Sequence, residues 1–294
     1  MNRTPGQERI GVDESLQINL SDKQFERIAT EIYRLCGINL SVAKKLLVEG
    51  RIRKRMKQLS VTSFDAYLDY FFSQEGYEAE YVNLIDAITT NKSDFFRENH
   101  HFDFLKETGL PAIIRYIEAN VKSRSMSFWS AGCSSGEEPY TLAIVLKEYF
   151  EHRKSIHFSI YASDVSTLIL DSAIAGIYES EKIDSIPLTL KKKYFLKSKA
   201  ADKKLIRVAS EIRELVDFRR INFLESDYDI PGNLDAAFCR NVLIYFDRQT
   251  QESVLKKIVK KIRVEGYLFL GHSETITGLD LPLRRIAPTI YQKI

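Results

Sequence analysis

The sequence predicts an all-α region followed by a doubly wound α/β region. Apolar residues recur at helical spacing from Ser21 to about Thr90, whereas beyond Pro111 short apolar runs of strand length alternate with helical stretches. A chain of 294 residues is long enough for one large or two modest cores.

Residues 1–18 are polar and contain Pro5, Gly6 and Gly11, which predicts a disordered tail. In a helical domain over 19–90, Phe25, Ile28, Ile32 and Leu35 form one stripe, and Val48, Ile52, Met56 and Leu59 a second. Ser21 and Ser63 are candidate N-caps, and the Gly37 region reads as a break between helices. Residues 111–294 are expected to be the α/β domain. Its elements are read at Ser127–Ala131, Pro139–Phe150, Ile156–Ala162, Ser166–Ala175, Leu234–Cys239, Arg248–Val264 and Gly266–Leu270. Strands separated by helices pair in parallel through right-handed crossovers, and such sheets bind ligands beyond the C-terminal ends of their strands. From about 176 to 216 the alternation breaks and lysines accumulate, so an insertion with a few short strands is expected there.

Hydrophobic residues make up 44% and charged residues 28%, the balance of an ordinary soluble domain. Apolar runs stay short of a membrane span and the N-terminal stretch lacks a signal-peptide core, so a cytoplasmic protein without direct membrane insertion is expected. A net charge of +3 gives no whole-surface attraction to nucleic acid. Cys36, Cys133 and Cys239 form neither a CxxC pair nor an even disulfide framework and read as reduced, buried thiols. His100 and His101 are adjacent, with no partner at i+4, so no metal site is expected.

The most informative segment is Phe128-Trp-Ser-Ala-Gly-Cys-Ser-Ser-Gly-Glu-Glu-Pro-Tyr140, a strand entering a helix through a small-residue turn. Pro139 suits a first helical turn, and small residues let a ligand approach the backbone. A dinucleotide site would need the helix N-terminus free for pyrophosphate, but Glu137 and Glu138 stand there. A nucleophile elbow is the competing reading: Gly132-Cys-Ser134-Ser-Gly136 fits G-x-S-x-G, with Asp235 or Asp247 and then His272 in hydrolase order. Against it, the two glutamates would oppose a developing oxyanion. The third reading is an adenosyl-methionine pocket, with Asp164 at the end of the second strand holding ribose hydroxyls. Asp164 could instead cap the helix that begins near Ser166.

Five segments, in this order, resemble the CheR family of chemotaxis receptor methyltransferases: Thr89-Thr-Asn-Lys-Ser-Asp-Phe-Phe-Arg97-Glu, Ser135-Gly-Glu-Glu-Pro-Tyr140, Ala162-Ser-Asp164, Phe238-Cys-Arg-Asn-Val-Leu-Ile-Tyr-Phe-Asp247 and Gly271-His-Ser-Glu274. The resemblance implies an all-α N-terminal domain, a linker over residues 91–110 that contributes to the active site, and a Rossmann-like methyltransferase domain with an inserted β-subdomain. It implies transfer of methyl from S-adenosylmethionine to receptor glutamates, giving glutamyl methyl esters and S-adenosylhomocysteine; a monomer is expected. Carried over by position, Asn91, Ser93, Arg97, Glu138, Asp164, Asn222, Phe223, Arg240 and Asn241 are similar to the family's cofactor contacts, although the family often has Thr and Leu where Ser93 and Phe223 stand. Arg97 and Tyr245 resemble residues beside the transferring methyl. A catalytically idle adaptor of the same fold is the alternative from a different functional class.

Seven basic residues lie between Lys44 and Lys57, against the single acid Glu49. Lys44, Arg51 and Arg55 share a helix flank, with Arg53 nearby, and the resemblance makes this helix a docking surface for acidic methylation helices of the receptor. Some members grip a receptor C-terminal peptide through a glycine-containing loop of the β-subdomain. The matching stretch here, Tyr194–Leu205, has no glycine, so tethering is not expected.

Overall fold

The computed structural model describes residues 19–89, 92–120, 125–152, 156–199 and 204–294, so the tail expected over 1–18 and Asn91 lie outside the described residues. The chain divides into two compact units: residues up to Tyr33 with Leu40–Ile88, and Arg34–Asn39 with Thr89–Ile294. No helix among the described residues is long and apolar enough to cross a membrane.

The first unit is helical. α1 (Asp22–Cys36) begins at a reciprocal cap in which the Gln24 amide donates to Ser21 Oγ at 3.2 Å and the Ser21 amide to Gln24 Oε1 at 2.9 Å. α2 (Lys45–Gln58) follows a short 3₁₀ turn, α3 (Phe64–Phe71) starts at the Ser63 cap, and α4 (Gln74–Ile88) closes the unit. Phe25, Ile28, Ile32, Val48, Ile52 and Met56 are buried, as the helical spacing requires; Leu35 and Leu59, at the ends of the two stripes, are half-buried.

A buried carboxylate sets the electrostatics of this unit. Glu80, 1% exposed, receives Arg55 Nη2 at 2.7 Å and Arg55 Nε on its other oxygen, with Asn83 and the Tyr67 hydroxyl completing its shell. Such a fork is geometrically matched, and removing one partner strands a charge in a dry place.

In the second unit, α5 (His100–Phe104) passes through a single π turn into α6 (Leu110–Asn120). Then follow β1 (Ser125–Ala131), α7 (Glu137–Phe150), β2 (His157–Asp164) and α8 (Thr167–Ala175). The insertion folds as a separate antiparallel sheet of β3 (Ile177–Glu179), β4 (Phe195–Lys197) and β5 (Leu205–Val208), in the order β3-β5-β4, with α9 (Leu188–Tyr194) within it. The short α10 (Ser210–Arg213) leads to β6 (Val216–Arg220) and β7 (Leu234–Cys239), then α11 (Arg248–Lys261), β8 (Ile262–Leu270), β9 (Leu283–Ala287) and β10 (Ile290–Lys293).

The main sheet has the order β6-β2-β1-β7-β8-β10-β9; the first five strands are parallel, and β10 is antiparallel to both neighbours. From β1 the chain winds outward to β2 and β6, and from β7 the other way to β8, so strand order reverses between β1 and β7. A crevice opens at that reversal beyond the strand ends, where Ala131, Asp164 and Cys239 finish their strands. Below it the sheet is dry: Phe238 stacks on Phe269 at 4.3 Å and on Phe102 of α5 at 5.8 Å.

Four strands differ from the sequence reading. β6 carries Asp217, Arg219 and Arg220 at a sheet edge, and β9 carries Arg284 and Arg285 at the other, so neither makes an apolar run. β10 is a four-residue strand that also holds Gln292 and Lys293. β8 starts at Ile262, inside the stretch read as helix to Val264, because Arg263 turns in to pair with buried Asp235 at 2.8 Å.

Arg55→Ala is expected to lower the stability of the helical unit by about 3 kcal/mol, the usual cost of leaving a buried carboxylate unpaired. The double change Arg55→Met with Glu80→Leu should recover most of that loss in urea unfolding of the whole chain; equal loss in both would show that the ion pair is not the cause.

Candidate functional site

The crevice is built from three segments that each need an unusual backbone. Gly132 leaves β1 with φ +81°, and a Cβ there would meet Val242 Cγ2 at 2.3 Å, so its small size serves close packing against the loop after β7. The amides of Gly132 and Cys133 both donate to the Ser163 carbonyl at 2.8 Å, which draws the turn onto the end of β2. Asp164 fixes the next step: its Oδ2 accepts from the Ser134 amide at 2.9 Å and its Oδ1 from the Ser166 amide at 3.1 Å. α8 is capped by Ser166, whose Oγ accepts from Ile169, so Asp164 is not that helix's N-cap.

The two glutamates at the start of α7 have different fates. Glu137 is 1% exposed and is tied down by the Ser135 hydroxyl at 2.6 Å and by Lys182 at 3.1 Å. Glu138 lies at the crevice, where Ser130 Oγ donates to one oxygen at 2.7 Å and Arg240 Nη1 to the other at 3.1 Å. Burial raises the Glu138 carboxyl above its ordinary range, and Arg240, the Ser130 hydroxyl and Arg97 pull it back down.

Arg240 is the hub. Its side chain is 2% exposed, its Nη2 donates to the Arg97 carbonyl at 2.5 Å and lies 3.3 Å from Glu98 Oε2, and the guanidinium stands over the Phe102 ring. Glu98 Oε1 also accepts from the His272 amide at 3.3 Å, while its Oε2 lies 3.6 Å from His101 Nδ1. The strand-end loop is held by Glu274, whose buried carboxylate accepts from the amides of Gly271, Asn241 and Leu243 at 2.6, 2.9 and 2.7 Å. Of these, Glu98 and Glu274 sit in the segments that carried the resemblance but were given no role there. A glutamate two residues past a glycine and a histidine is the signal that Glu274 offered; Ser130, inside an apolar strand, offered none.

Arg97, Glu138, Asp164, Arg240 and Asn241 are thus brought together around the strand reversal. Ser93 is buried on the arm before Arg97, and Tyr245 is half-buried on the 3₁₀ turn after β7. Phe223 packs in an aromatic cluster with Trp129, Tyr228 and Phe246. Asn222 spends its side chain internally, donating to the Leu35 carbonyl at 2.5 Å and accepting from the Leu224 amide at 3.0 Å, and its backbone meets Glu225, whose amide donates to the Asn222 carbonyl at 2.9 Å. Asn91 lies outside the described residues.

On α2, Arg53 pairs with Glu49 at 2.9 Å, Arg51 donates to the Ile88 carbonyl and Arg55 holds Glu80. Lys44 is half-buried, and Lys54 and Lys57 are exposed.

The nucleophile-elbow reading is overturned. Asp235 sits near the start of β7, at the opposite end of the sheet from the turn, and is paired with Arg263 and the Ser127 amide. Asp247 caps α11 through the Thr250 amide at 2.8 Å. Ser134 Oγ is buried and has no hydrogen-bond partner among the described residues. An orphaned hydroxyl beside two acids and a small-residue turn fits a bound polar ligand, and the acid at the helix start suits hydroxyls or a cation rather than phosphate.

The family model described as CheR methyltransferase, SAM binding domain, matches residues 91–291, and that described as CheR methyltransferase, all-alpha domain, matches residues 23–89. Over 275 residues the chain is 38% identical to chemotaxis protein methyltransferase 2 of Pseudomonas aeruginosa, covering 94% of each. It is 38% identical over 280 residues to the chemotaxis protein methyltransferase of Borreliella burgdorferi (95% of this chain, 97% of the relative) and 34% over 286 residues to that of Escherichia coli (97% and 96%). The S-adenosylmethionine-binding domain thus spans the crevice.

His101, fully buried beneath this network with Nε2 2.8 Å from Thr289 Oγ1, gives the site a pH signature. Burial, helped by the Arg240 charge, pushes its imidazole down to about 3. As pH falls from 6.5 toward that value the unfolded chain binds a proton that the folded chain refuses, so stability drops by up to about 1.4 kcal/mol per pH unit. His101→Phe is expected to flatten this slope between pH 6.5 and 5 in denaturant titrations; an unchanged slope would mean that His101 titrates freely in the fold.

Proposed function

The chain belongs to the CheR methyltransferase family, and we propose that it methylates glutamate side chains of bacterial chemoreceptors in the cytoplasm, giving glutamyl methyl esters. The observation that carries this reading is Glu138 at the mouth of the glycine turn, held beside the arm that bears Arg97.

When bound, S-adenosylmethionine supplies an electrophilic methyl on a sulfonium and leaves as S-adenosylhomocysteine. Asp164 presents carboxylate oxygens to ribose hydroxyls, and Glu138 faces the cationic end. Asn91, Ser93, Asn222, Phe223, Arg240 and Asn241 complete the proposed contacts. A glutamate side chain with a pKa of about 4.3 is already an ionised nucleophile at neutral pH, so the chemistry calls for no general base. What remains is alignment: Arg97 forks onto the incoming carboxylate and Tyr245 shapes the methyl end.

The basic helix α2 is proposed to meet the acidic methylation helices of the receptor. Because Glu49 and Glu80 neutralise Arg53 and Arg55, the charge left for an acidic partner is chiefly that of the exposed Lys54 and Lys57. Charge complementarity of this kind raises the association rate and weakens with salt. The β4–β5 connection, free of glycine, supports recognition without a C-terminal tether.

Incubation with radiolabelled S-adenosylmethionine should transfer base-labile label to chemoreceptor cytoplasmic fragments, and Arg97→Ala should reduce turnover by roughly a hundredfold or more while the cofactor still binds. Cofactor binding without transfer to any receptor fragment would instead favour the adaptor reading. Receptor fragments with and without their C-terminal residues are expected to be methylated with equal KM; tight binding of a free C-terminal peptide, lost on altering the Lys197–Lys204 loop, would contradict untethered recognition.

A further inference from the structure

Lys182 lies outside every motif described above, on a 3₁₀ turn (Ser180–Ile183) that follows β3 in the insertion. Its ammonium nevertheless reaches into the crevice walls. It donates to the Ser93 carbonyl, lies 3.2 Å from Asp94 Oδ1 and 3.1 Å from Glu137 Oε1. One cation thereby joins the arm leading to Arg97 with the first turn of α7, next to Glu138. The insertion adds two further holds. Phe95 is gripped edge-on by Tyr178 at 5.0 Å and Phe195 at 5.2 Å, and the Tyr178 hydroxyl donates to the Ser135 carbonyl at 2.7 Å. The next residue is held too: the Phe96 amide donates to Thr141 Oγ1 of α7 at 3.1 Å.

We infer that Lys182 is a positioning residue for the cofactor site, and that the inserted sheet serves as a strut holding the Ser93–Arg97 arm against the glycine turn. This rests on the reading of the crevice as the S-adenosylmethionine site. The lysine touches neither the cofactor nor the reacting atoms in this scheme; it acts through Ser93, Asp94 and Glu137. Because three acceptors from two segments share one ammonium, removing it frees the arm and also leaves the buried Glu137 carboxylate, 1% exposed, without its cation. Those two consequences are separable.

Lys182→Gln should raise the Kd for S-adenosylhomocysteine and the KM for S-adenosylmethionine by at least about fivefold, with the KM for the receptor fragment unchanged. Lys182→Arg should restore much of the affinity. In the double variant Glu137→Gln with Lys182→Gln no charge is stranded, so thermal stability should return toward wild type while cofactor affinity stays weak, because Ser93 and Asp94 still lack the ammonium. Cofactor affinity in Lys182→Gln within twofold of wild type would overturn the inference, as would recovery of affinity together with stability in the double variant, which would reduce Lys182 to a counter-ion. If the wild-type protein itself binds no S-adenosylhomocysteine by calorimetry, the reading of the crevice fails and the inference with it, an outcome distinct from a silent Lys182 variant.

Discussion

The crevice depends on one buried cation. Arg240 has Glu138 on one side and Glu98 on the other, and its Nη2 also holds the Arg97 carbonyl. Without it, carboxylates would crowd a dry strand end with no counter-charge, which burial makes expensive. An arginine suits this task better than a lysine would. Its planar fork reaches partners in two directions at once and keeps its charge under desolvation, and its flat face rests over Phe102. The position follows from topology: Arg240 is the first residue past β7, the strand beside the reversal of order, so a side chain leaving that strand end enters the crevice.

The acids around it divide by what they hold. Glu274 spends its carboxylate on the amides of Gly271, Asn241 and Leu243, standing in for the strand partners that the loop after β7 lacks. Glu137 is consumed by Ser135 and Lys182. Asp164 accepts two backbone amides, one on each oxygen. Glu138 likewise takes one donor on each oxygen. The sequence presents Glu137 and Glu138 as an equivalent pair, yet neighbouring residues at a helix start point in different directions, and only one can face the crevice.

Legibility followed the same line. β7 is buried throughout, and β1 and the second half of β2 nearly so, which gives each a short apolar run; the small-residue turn and Asp164 fall where those runs end, so the core of the candidate site could be read directly. β6 and β9 escaped because an edge strand presents charges to solvent and lacks apolar periodicity. The engagement of Arg55 was half visible: a basic helix announces itself, but its long-range partner Glu80, 25 residues away, does not. Lys182 was invisible for a related reason, since it lies in a lysine-rich insertion where nothing in the local pattern separates it from its exposed neighbours.

Backbone strain connects these observations. Phe96, Glu98, Ser134 and Asn241 all adopt φ between +51° and +59°, a region that costs non-glycine residues of order 1 kcal/mol or more. All four lie on crevice segments, and each is held close by a named interaction. The Phe96 amide is fixed by Thr141, Glu98 by Arg240, the Ser134 amide by Asp164 and the Asn241 amide by Glu274. Local preference would relax these turns, so their shape has to be imposed by side chains from other elements. This explains why so many charged groups at the crevice are engaged with protein. The same logic gives the insertion its place: Phe96 and Glu98, on either side of Arg97, are held by Thr141 and Arg240, while Lys182 and the Tyr178–Phe195 grip hold the preceding residues Ser93, Asp94 and Phe95.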